Sequence, residues 1–147
     1  MKKLQAILLG VVLTFACATF LGAATLTVQL TYTYSTTTTV DANGNWPACS
    51  ATVKSTCING FKVYQSDVTP FVAVGTINNA ATPSGTQTFS QDLTDSSLSY
   101  GAHAIEATTL YIDSSGAAKE TTYSASAPFV YDAGVPATVV IKSVTAK

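Results

Sequence analysis

Few side chains in this 147-residue chain are suited to catalysis. His103 is the only histidine, so any serine or cysteine nucleophile has one possible base. A seryl triad also needs a carboxylate that holds the base, and the strained Gly-x-Ser-x-Gly turn that often presents the serine is missing. We therefore expect no catalytic residue, and a small hydrolase is only a remote alternative.

Carboxylate pairs offer a second route to chemistry. Glycosidases need two carboxyl groups about 5 to 9.5 Å apart in a cleft. Glu106 is the only carboxylate well inside a predicted strand. The aspartates fall in loops or at strand ends, where Asp bonds to its own nearby backbone and forms turns. They are Asp41, Asp67, Asp92, Asp95, Asp113 and Asp132. The aspartates thus predict turns. We expect neither a catalytic site nor a cofactor site among the carboxylates.

The segment 41–45, Asp-Ala-Asn-Gly-Asn, partly matches a calcium-binding loop, with oxygen ligands at alternate positions. However, Trp46 stands at the sixth position, where glycine is needed, and Thr52 at the twelfth, where a bidentate glutamate is needed. An Asn-Gly turn explains the segment more simply, and we predict no metal site.

Trp46 is the candidate ligand contact. It is the only tryptophan, and it lies in a polar loop beside Pro47. Tryptophan supplies a large rigid surface that can stack on a sugar or anchor a protein partner. Alternatively, the ring folds back and covers one end of the hydrophobic core.

The first residues predict the cellular location. Lys2 and Lys3 precede an uncharged apolar run to Phe20, and small residues follow at 22–24. This layout is typical of a secretory signal peptide over residues 1–23, with a mature start at Ala24 or Thr25. The protein is then secreted, extracellular or periplasmic. There are two alternatives. The leader is retained as a membrane anchor, or a lipid is attached at Cys17 through an imperfect bacterial lipobox.

Two cysteines, Cys49 and Cys57, remain after cleavage. An even pair in an exported chain predicts a disulfide bond, here closing a short loop. Two thiolates without a nearby histidine do not make a zinc site.

The charge of the mature part limits its partners. It has five lysines, no arginine and eight acidic residues, for a net charge of −3. Nucleic-acid binding needs a basic surface, usually with arginine, so this class is excluded. Membrane association is expected only if Cys17 is lipidated or the leader is retained.

Alternation of apolar and polar residues, with a period of two, runs along the mature chain and predicts β-strands. No segment after the leader has a helical period. A hairpin loop at 113–116 ends in Gly116, at a position expected to need positive φ. About seven strands in one domain, residues 24–147, predict an all-β antiparallel sandwich. The predicted strands are Thr25–Tyr34, Ile58–Gln65, Phe71–Ile77, Thr86–Leu93, His103–Ile112, Lys119–Tyr131 and Val135–Val144.

Three stretches resemble fibronectin type III domains and, more broadly, immunoglobulin-like sandwiches of secreted bacterial proteins. They are Ile-Asn-Gly-Phe-Lys-Val-Tyr at 58–64, the predicted strand at 71–77, and residues 98–124. Leu-Ser-Tyr-Gly-Ala-His at 98–103 resembles the Leu-x-Pro-Gly-x-x-Tyr corner of that family. The resemblance implies a structural corner at Tyr100, Gly101 and His103, in which a His103 ring nitrogen bonds a carbonyl of the preceding loop.

The chain departs from the family pattern at several positions. Tyr100 replaces the corner proline, and His103 replaces the corner tyrosine. The early strand has no tryptophan, although Tyr32 could fill its place. The predicted disulfide is local, unlike the inter-sheet bridge of antibody domains.

These features together predict a secreted, non-enzymatic binding or adhesion module. Its loops, such as Asp41–Cys57, would recognise an extracellular glycan or protein. The main alternative is a structural subunit that self-associates by strand pairing into an extracellular fibre or surface assembly. A small secreted hydrolase is the remote alternative.

Overall fold

The computed structural model of the protein describes residues 25–78, 86–94, 98–131 and 137–141. The predicted leader, Cys17 and the ends of the predicted last strand lie outside these ranges. Within them the chain forms strands and connecting loops, and no helix long and apolar enough to cross a bilayer occurs there. The strands are β1 (Thr25–Thr33), β2 (Cys57–Gln65), β3 (Val72–Asn78), β4 (Thr86–Thr94), β5 (Gly101–Ile112), β6 (Ala118–Glu120), β7 (Ala127–Tyr131) and β8 (Ala137–Ile141).

The strands form two sheets. One has three strands in the order β4-β1-β8. The other has five strands: β3, β2 and β5 lie side by side, and β6 and β7 both pair with the free side of β5. The prediction of an all-β fold is confirmed, and the two sheets are compatible with a sandwich.

The two sheets bury one face each against the other. On β1 the side chains of Leu26, Val28 and Leu30 are buried, while the residues between them are half-exposed. The ring centroid of Tyr32, from the three-stranded sheet, lies 4.6 Å from that of Phe61, from the five-stranded sheet. This contact between sheets follows from the period-two burial of strand residues. Tyr32 thus lies within the core.

One strand pair differs from the antiparallel prediction. β8 runs parallel to β1, with Leu26 opposite Ala137 and Leu30 opposite Ile141. A short hairpin forces neighbouring strands to be antiparallel, whereas strands distant in sequence can pair in either direction. β8 pairs with β1, from the other end of the chain, and its predecessor β7 belongs to the other sheet. The alternation predicted the strand but carried no information about its direction.

The predicted strand Lys119–Tyr131 is divided into β6 and β7, so that eight strands are described where about seven were predicted. Between them, Thr121 and Ser124 stay bonded to β5 through both backbone and side chain. Thr109 N donates to Thr121 Oγ1 at 2.9 Å, and Ala107 N donates to Ser124 Oγ at 3.0 Å. Hydroxyl oxygens replace backbone carbonyls here, which interrupts the regular ladder.

The antiparallel pairing of β2 with β5 gives the five-stranded sheet two distinct ends. Cys57 lies opposite Ile112 at one end, which we call the disulfide end. Gln65 lies opposite Ile105 near the other, which we call the histidine end because His103 is there.

Candidate functional site

The loop between β1 and β2, residues 34–56, is the longest described connection and leads into the disulfide end. We call it the β1–β2 loop. Loops longer than about 12–15 residues without secondary structure are uncommon in compact domains and are often functional. A disulfide joins Cys49 to Cys57, the first residue of β2, and confirms the predicted pair. Ile58 N donates to Pro47 O, and Cys49 N donates to Ile58 O, both at 2.8 Å. This half of the loop is therefore fixed to β2.

The threonine-rich start of the loop is held by its own hydroxyl groups. Ser35 Oγ donates to Thr39 O at 2.7 Å, and Thr37 Oγ1 donates to the same carbonyl at 2.9 Å. Thr36 and Thr38 alternate with these residues and are exposed. Hydroxyl-to-backbone bonds of this kind fix a segment that belongs to neither sheet.

The Asp41 turn matches the Asn-Gly interpretation. Asp41 Oδ1 accepts hydrogen bonds from Asn43 N and Asn45 N, both at 2.9 Å, and Gly44 has φ 80°. Bonds from Asn45 are the main reason that the pKa of Asp41 is lowered. The carboxylate is engaged by its own turn. No group of three or more potential metal ligands is found in the described ranges.

Trp46 folds back over the disulfide end. Its half-buried ring packs against the core and meets Tyr111 edge-to-face, with 5.3 Å between ring centroids. Its carbonyl accepts a hydrogen bond from Ser35 N at 3.0 Å, which joins the two halves of the loop. The side chain therefore covers the core, and only its exposed part is open to a ligand.

His103 is buried at the histidine end, and each ring nitrogen faces an acceptor. Nε2 lies 2.7 Å from Ser99 O; since a carbonyl only accepts, Nε2 is the donor. Nδ1 lies 3.0 Å from Asp67 Oδ2 and 3.3 Å from Gln65 Nε2. Asp67 Oδ1 also accepts from Ala104 N at 3.1 Å. Both nitrogens are satisfied as donors only when the ring is protonated.

The electrostatics agree with this geometry. Burial opposes the charge on His103, but the Ser99 carbonyl and the Asp67 carboxylate outweigh it, so the pKa of His103 is raised. Burial would raise the pKa of Asp67, yet bonds from Ala104, His103 and Gln65 lower it overall. The cluster therefore favours an ion pair.

The other residues of the predicted corner also lie at the histidine end. Gly101 begins β5 with φ 133°. The Tyr100 side chain is 58% exposed, and its ring lies 5.1 Å from that of Tyr131. The structure thus brings the corner residues together, but places them at the opposite end of the sheet from Trp46.

The partners of His103 were not predictable from the sequence pattern alone. Gln65 and Asp67 belong to the end of β2 and the loop that follows it. The available signal was a polar pair, Gln65 and Asp67, at the end of the strand β2 and just after it. It gains meaning only once β2 and β5 are known to pair.

A second polar cluster was also missed, on the outer face of the five-stranded sheet. Tyr64 Oη donates to Glu120 Oε1 at 2.5 Å, and Thr108 Oγ1 donates to the same oxygen at 2.6 Å. Lys62 Nζ lies 4.9 Å from the centroid of the Tyr64 ring. Burial and then the bond to Glu120 raise the pKa of Tyr64. For Glu120, the hydroxyl bonds outweigh burial and lower the pKa.

Comparisons of this chain with protein-family profiles, with curated proteins and with solved structures find no significant match.

Proposed function

We propose that the mature chain is a secreted, non-enzymatic binding or adhesion module whose β1–β2 loop contacts an extracellular glycan or protein. The observation that carries the proposal is the fixation of a long loop that lies outside both sheets. A disulfide, the Asp41 turn, the Ser35–Thr39 hydroxyl bonds and the packing of Trp46 all restrain it. A preordered loop loses little conformational entropy when a partner binds.

We further propose that the domain is of the fibronectin type III or immunoglobulin-like class. Two sheets in contact through Tyr32 and Phe61 support this assignment, as does a corner in which His103 reaches the Ser99 carbonyl. The loops at the ends of such sandwiches are common recognition sites. Export to the extracellular space or periplasm belongs to the same proposal, with lipid attachment at Cys17 as its alternative.

A non-enzymatic role is supported by the state of the only histidine. A general base must offer a free nitrogen to a substrate or a nucleophile. In His103, Nε2 is bonded to Ser99 and Nδ1 to Asp67. The bonding pattern serves to join two chain segments.

The loop proposal is tested with single changes that alter its exposed surface and leave its restraints intact. Thr38→Lys and Lys54→Glu meet this condition, because both side chains are exposed. We expect at least one of them to weaken binding to a glycan array or to host-cell surfaces about tenfold, as is typical of a contact near the centre of an interface. Trp46→Phe adds a smaller change at the candidate ligand contact itself.

Tyr100→Ala is the matched control for the loop variants, because Tyr100 is exposed at the histidine end. Thermal unfolding of each variant separates lost binding from lost folding. Binding that survives both loop changes without loss of affinity would contradict the proposal.

One observation favours the alternative of a fibre subunit. Val130 on β7 is 64% exposed and Val140 on β8 is 45% exposed, and both strands lie at sheet edges. Exposed apolar edge strands can pair with a second chain.

Sedimentation velocity over a wide concentration range distinguishes the binding module from the fibre subunit. A strictly monomeric protein rejects the fibre, whereas polymerisation that Val140→Lys abolishes supports it.

A further inference from the structure

Three aromatic side chains form a continuous row on the outer face of the five-stranded sheet. The ring centroid of Tyr123 lies 5.2 Å from that of Tyr64 and 4.9 Å from that of Phe71. Tyr64 is on β2, Phe71 immediately precedes β3, and Tyr123 lies between β6 and β7, on the far side of β5. We call this row the aromatic strip. None of its members belongs to the hydrophobic cluster between the sheets, but Tyr64 is buried and Phe71 is half-buried, so Tyr123 is the exposed ring of the three.

Hydrogen bonds to neighbouring residues of the sheet hold the strip in place. The hydroxyl of Tyr64 is bonded to Glu120, which also accepts a bond from Thr108. The segment that carries Tyr123 is fixed to β5, because Ser124 N donates to Ala107 O at 2.8 Å and Ala107 N donates to Ser124 Oγ. Tyr123 itself remains 48% exposed. The structure therefore presents a positioned aromatic ring to solvent.

Polar groups flank the strip. Glu106 lies on β5 directly opposite Tyr64 in the strand register and is half-buried. Its carboxylate has no hydrogen-bond or ion-pair partner within the part of the chain that the structure describes. Lys62, two residues before Tyr64, adds a cationic donor beside the Tyr64 ring. The face thus combines an apolar surface with an unused acceptor, a donor, and a slight excess of negative charge.

We propose that the aromatic strip is a binding site for a neutral glycan. The C–H face of a sugar ring packs on Tyr123, and a sugar hydroxyl donates to Glu106. A rigid ring with a polar margin provides the apolar area and the oriented polar groups that a small-ligand site needs. The carboxylates of Glu106 and Glu120 outnumber the ammonium of Lys62, so a glycan that carries uronic acids or sulfate is repelled. This site is separate from the β1–β2 loop and does not depend on it.

The test is a titration of the folded mature protein with neutral oligosaccharides of the cello, xylo, manno and chito series, in which NMR or calorimetry measures binding. An oligogalacturonate is the acidic comparison. At least one neutral series should bind, and the acidic one should bind more weakly. Tyr123→Ala should weaken binding about tenfold or more, whereas Tyr123→Phe should retain most of it. Glu106→Gln should weaken binding severalfold, because an amide oxygen is a poorer acceptor than a carboxylate.

Tyr100→Ala is the matched control, since it removes a tyrosine of similar exposure at another place on the molecule. The proposal is overturned if no neutral oligosaccharide binds, if Tyr123→Ala binds as tightly as wild type, or if oligogalacturonate binds as well as the neutral series. The loop and the strip are also distinguishable. Binding lost in Lys54→Glu but kept in Tyr123→Ala assigns the glycan to the β1–β2 loop and rejects the strip. The reverse pattern supports the strip and leaves the loop without a glycan.

Discussion

At the scale of single residues, His103 links two parts of the chain that are distant in the sequence. Its ring joins the loop before β5, through Ser99, to the residues that follow β2, through Asp67. Asp67 in turn caps the backbone of Ala104. Because only the protonated ring donates to both Ser99 O and Asp67 Oδ2, the strength of this link depends on pH.

We predict that the free energy of unfolding decreases as the pH rises above about 6.5 and through the raised pKa of folded His103. The pKa of His103 is raised in the folded state, so its contribution is complete below the unfolded value of about 6.5 and is lost as pH rises through the folded value. The pKa of Asp67 is lowered, so its contribution is present above about 3.9 and is lost as pH falls through the folded value. The pair is thus most stabilising between these limits. Since Asp67 is partly exposed, we expect a loss of about 1 kcal/mol on the alkaline side, measured by denaturant titration.

His103→Gln and Asp67→Asn should both flatten this pH profile. Asp113→Asn is the matched control. The pKa of Asp113 is lowered mainly by bonds from Ser115 within its own turn, so this substitution should not alter the slope of the stability profile near neutral pH. As His103 is the only histidine, a slope that persists in His103→Gln would rule out the mechanism.

Thr56 is a second residue with a measurable effect. It has φ 51°, in the left-handed region that is costly for a β-branched side chain. Thr56→Gly should relieve this strain and raise the free energy of unfolding by about 0.5–1 kcal/mol, after allowance for the greater entropy of glycine in the unfolded chain. Gly116→Ala, at φ 84°, should lower it by about 1 kcal/mol. Denaturant titration measures both changes. If the two substitutions change the free energy of unfolding in the same direction, this explanation is wrong.

At the scale of elements, the segment 121–126 shows that an edge can be bonded to a sheet without being a strand. Its serine and threonine hydroxyls accept from the backbone of β5 and donate to their own chain, at Ala125 O and Thr122 O. Such residues are common both in strands and in side-chain-to-backbone motifs. The interruption also sets the position of Tyr123 in the aromatic strip.

We predict that Ser124→Ala destabilises the protein by about 1–3 kcal/mol, because the buried Ala107 N–H loses its acceptor. Chemical denaturation measures the loss, and amide hydrogen exchange should show faster exchange at Ala107. Ser126→Ala, at an exposed position two residues further on, should change stability by less than about 0.5 kcal/mol. Equal effects of the two substitutions would show that the Ser124 hydroxyl has no special role.

Some features of the strands and loops were predictable from the sequence, and others were not. Strict alternation predicted β1 and β2 to within one residue at their described ends, and Gly116 has the expected positive φ. The break after Glu120 was not predictable, since threonine and serine fit either a strand or a hydroxyl-bonded segment. The contacts of Trp46 with Tyr111, and of His103 with Asp67, depend on strand pairing, which local pattern does not encode.

At the scale of the whole molecule, β1 holds the three-stranded sheet together. It pairs with β4 on one side and β8 on the other, and its side chains fill the space between the sheets. The sheets approach each other at both sides, where β3 lies beside β4 and β7 lies beside β8. We therefore expect β1 to stay within its own domain and not to be donated to a neighbouring chain.

We predict that Leu30→Ala in β1 lowers the free energy of unfolding by about 2–5 kcal/mol, as expected for a fully buried leucine. Deletion of Thr25–Thr33 should abolish the cooperative unfolding transition seen by circular dichroism. Val140→Ala, at an exposed position on β8, should cost less than about 1 kcal/mol. A deletion variant that still unfolds cooperatively would show that β1 can leave the fold, which would revive the strand-exchange route to fibres.

The direction of β1 has a geometric consequence for any attached form of the protein. The strand runs from Thr25 to Thr33 and enters the β1–β2 loop, so the loop begins about 27 Å along the strand from Thr25, the end that a tether upstream, such as a lipid on Cys17, would join. β8 runs the same way, and its last residue, Ile141, lies opposite Leu30, towards the β1–β2 loop. For binding assays we therefore expect attachment upstream of Thr25 to leave the β1–β2 loop more accessible than attachment downstream of β8.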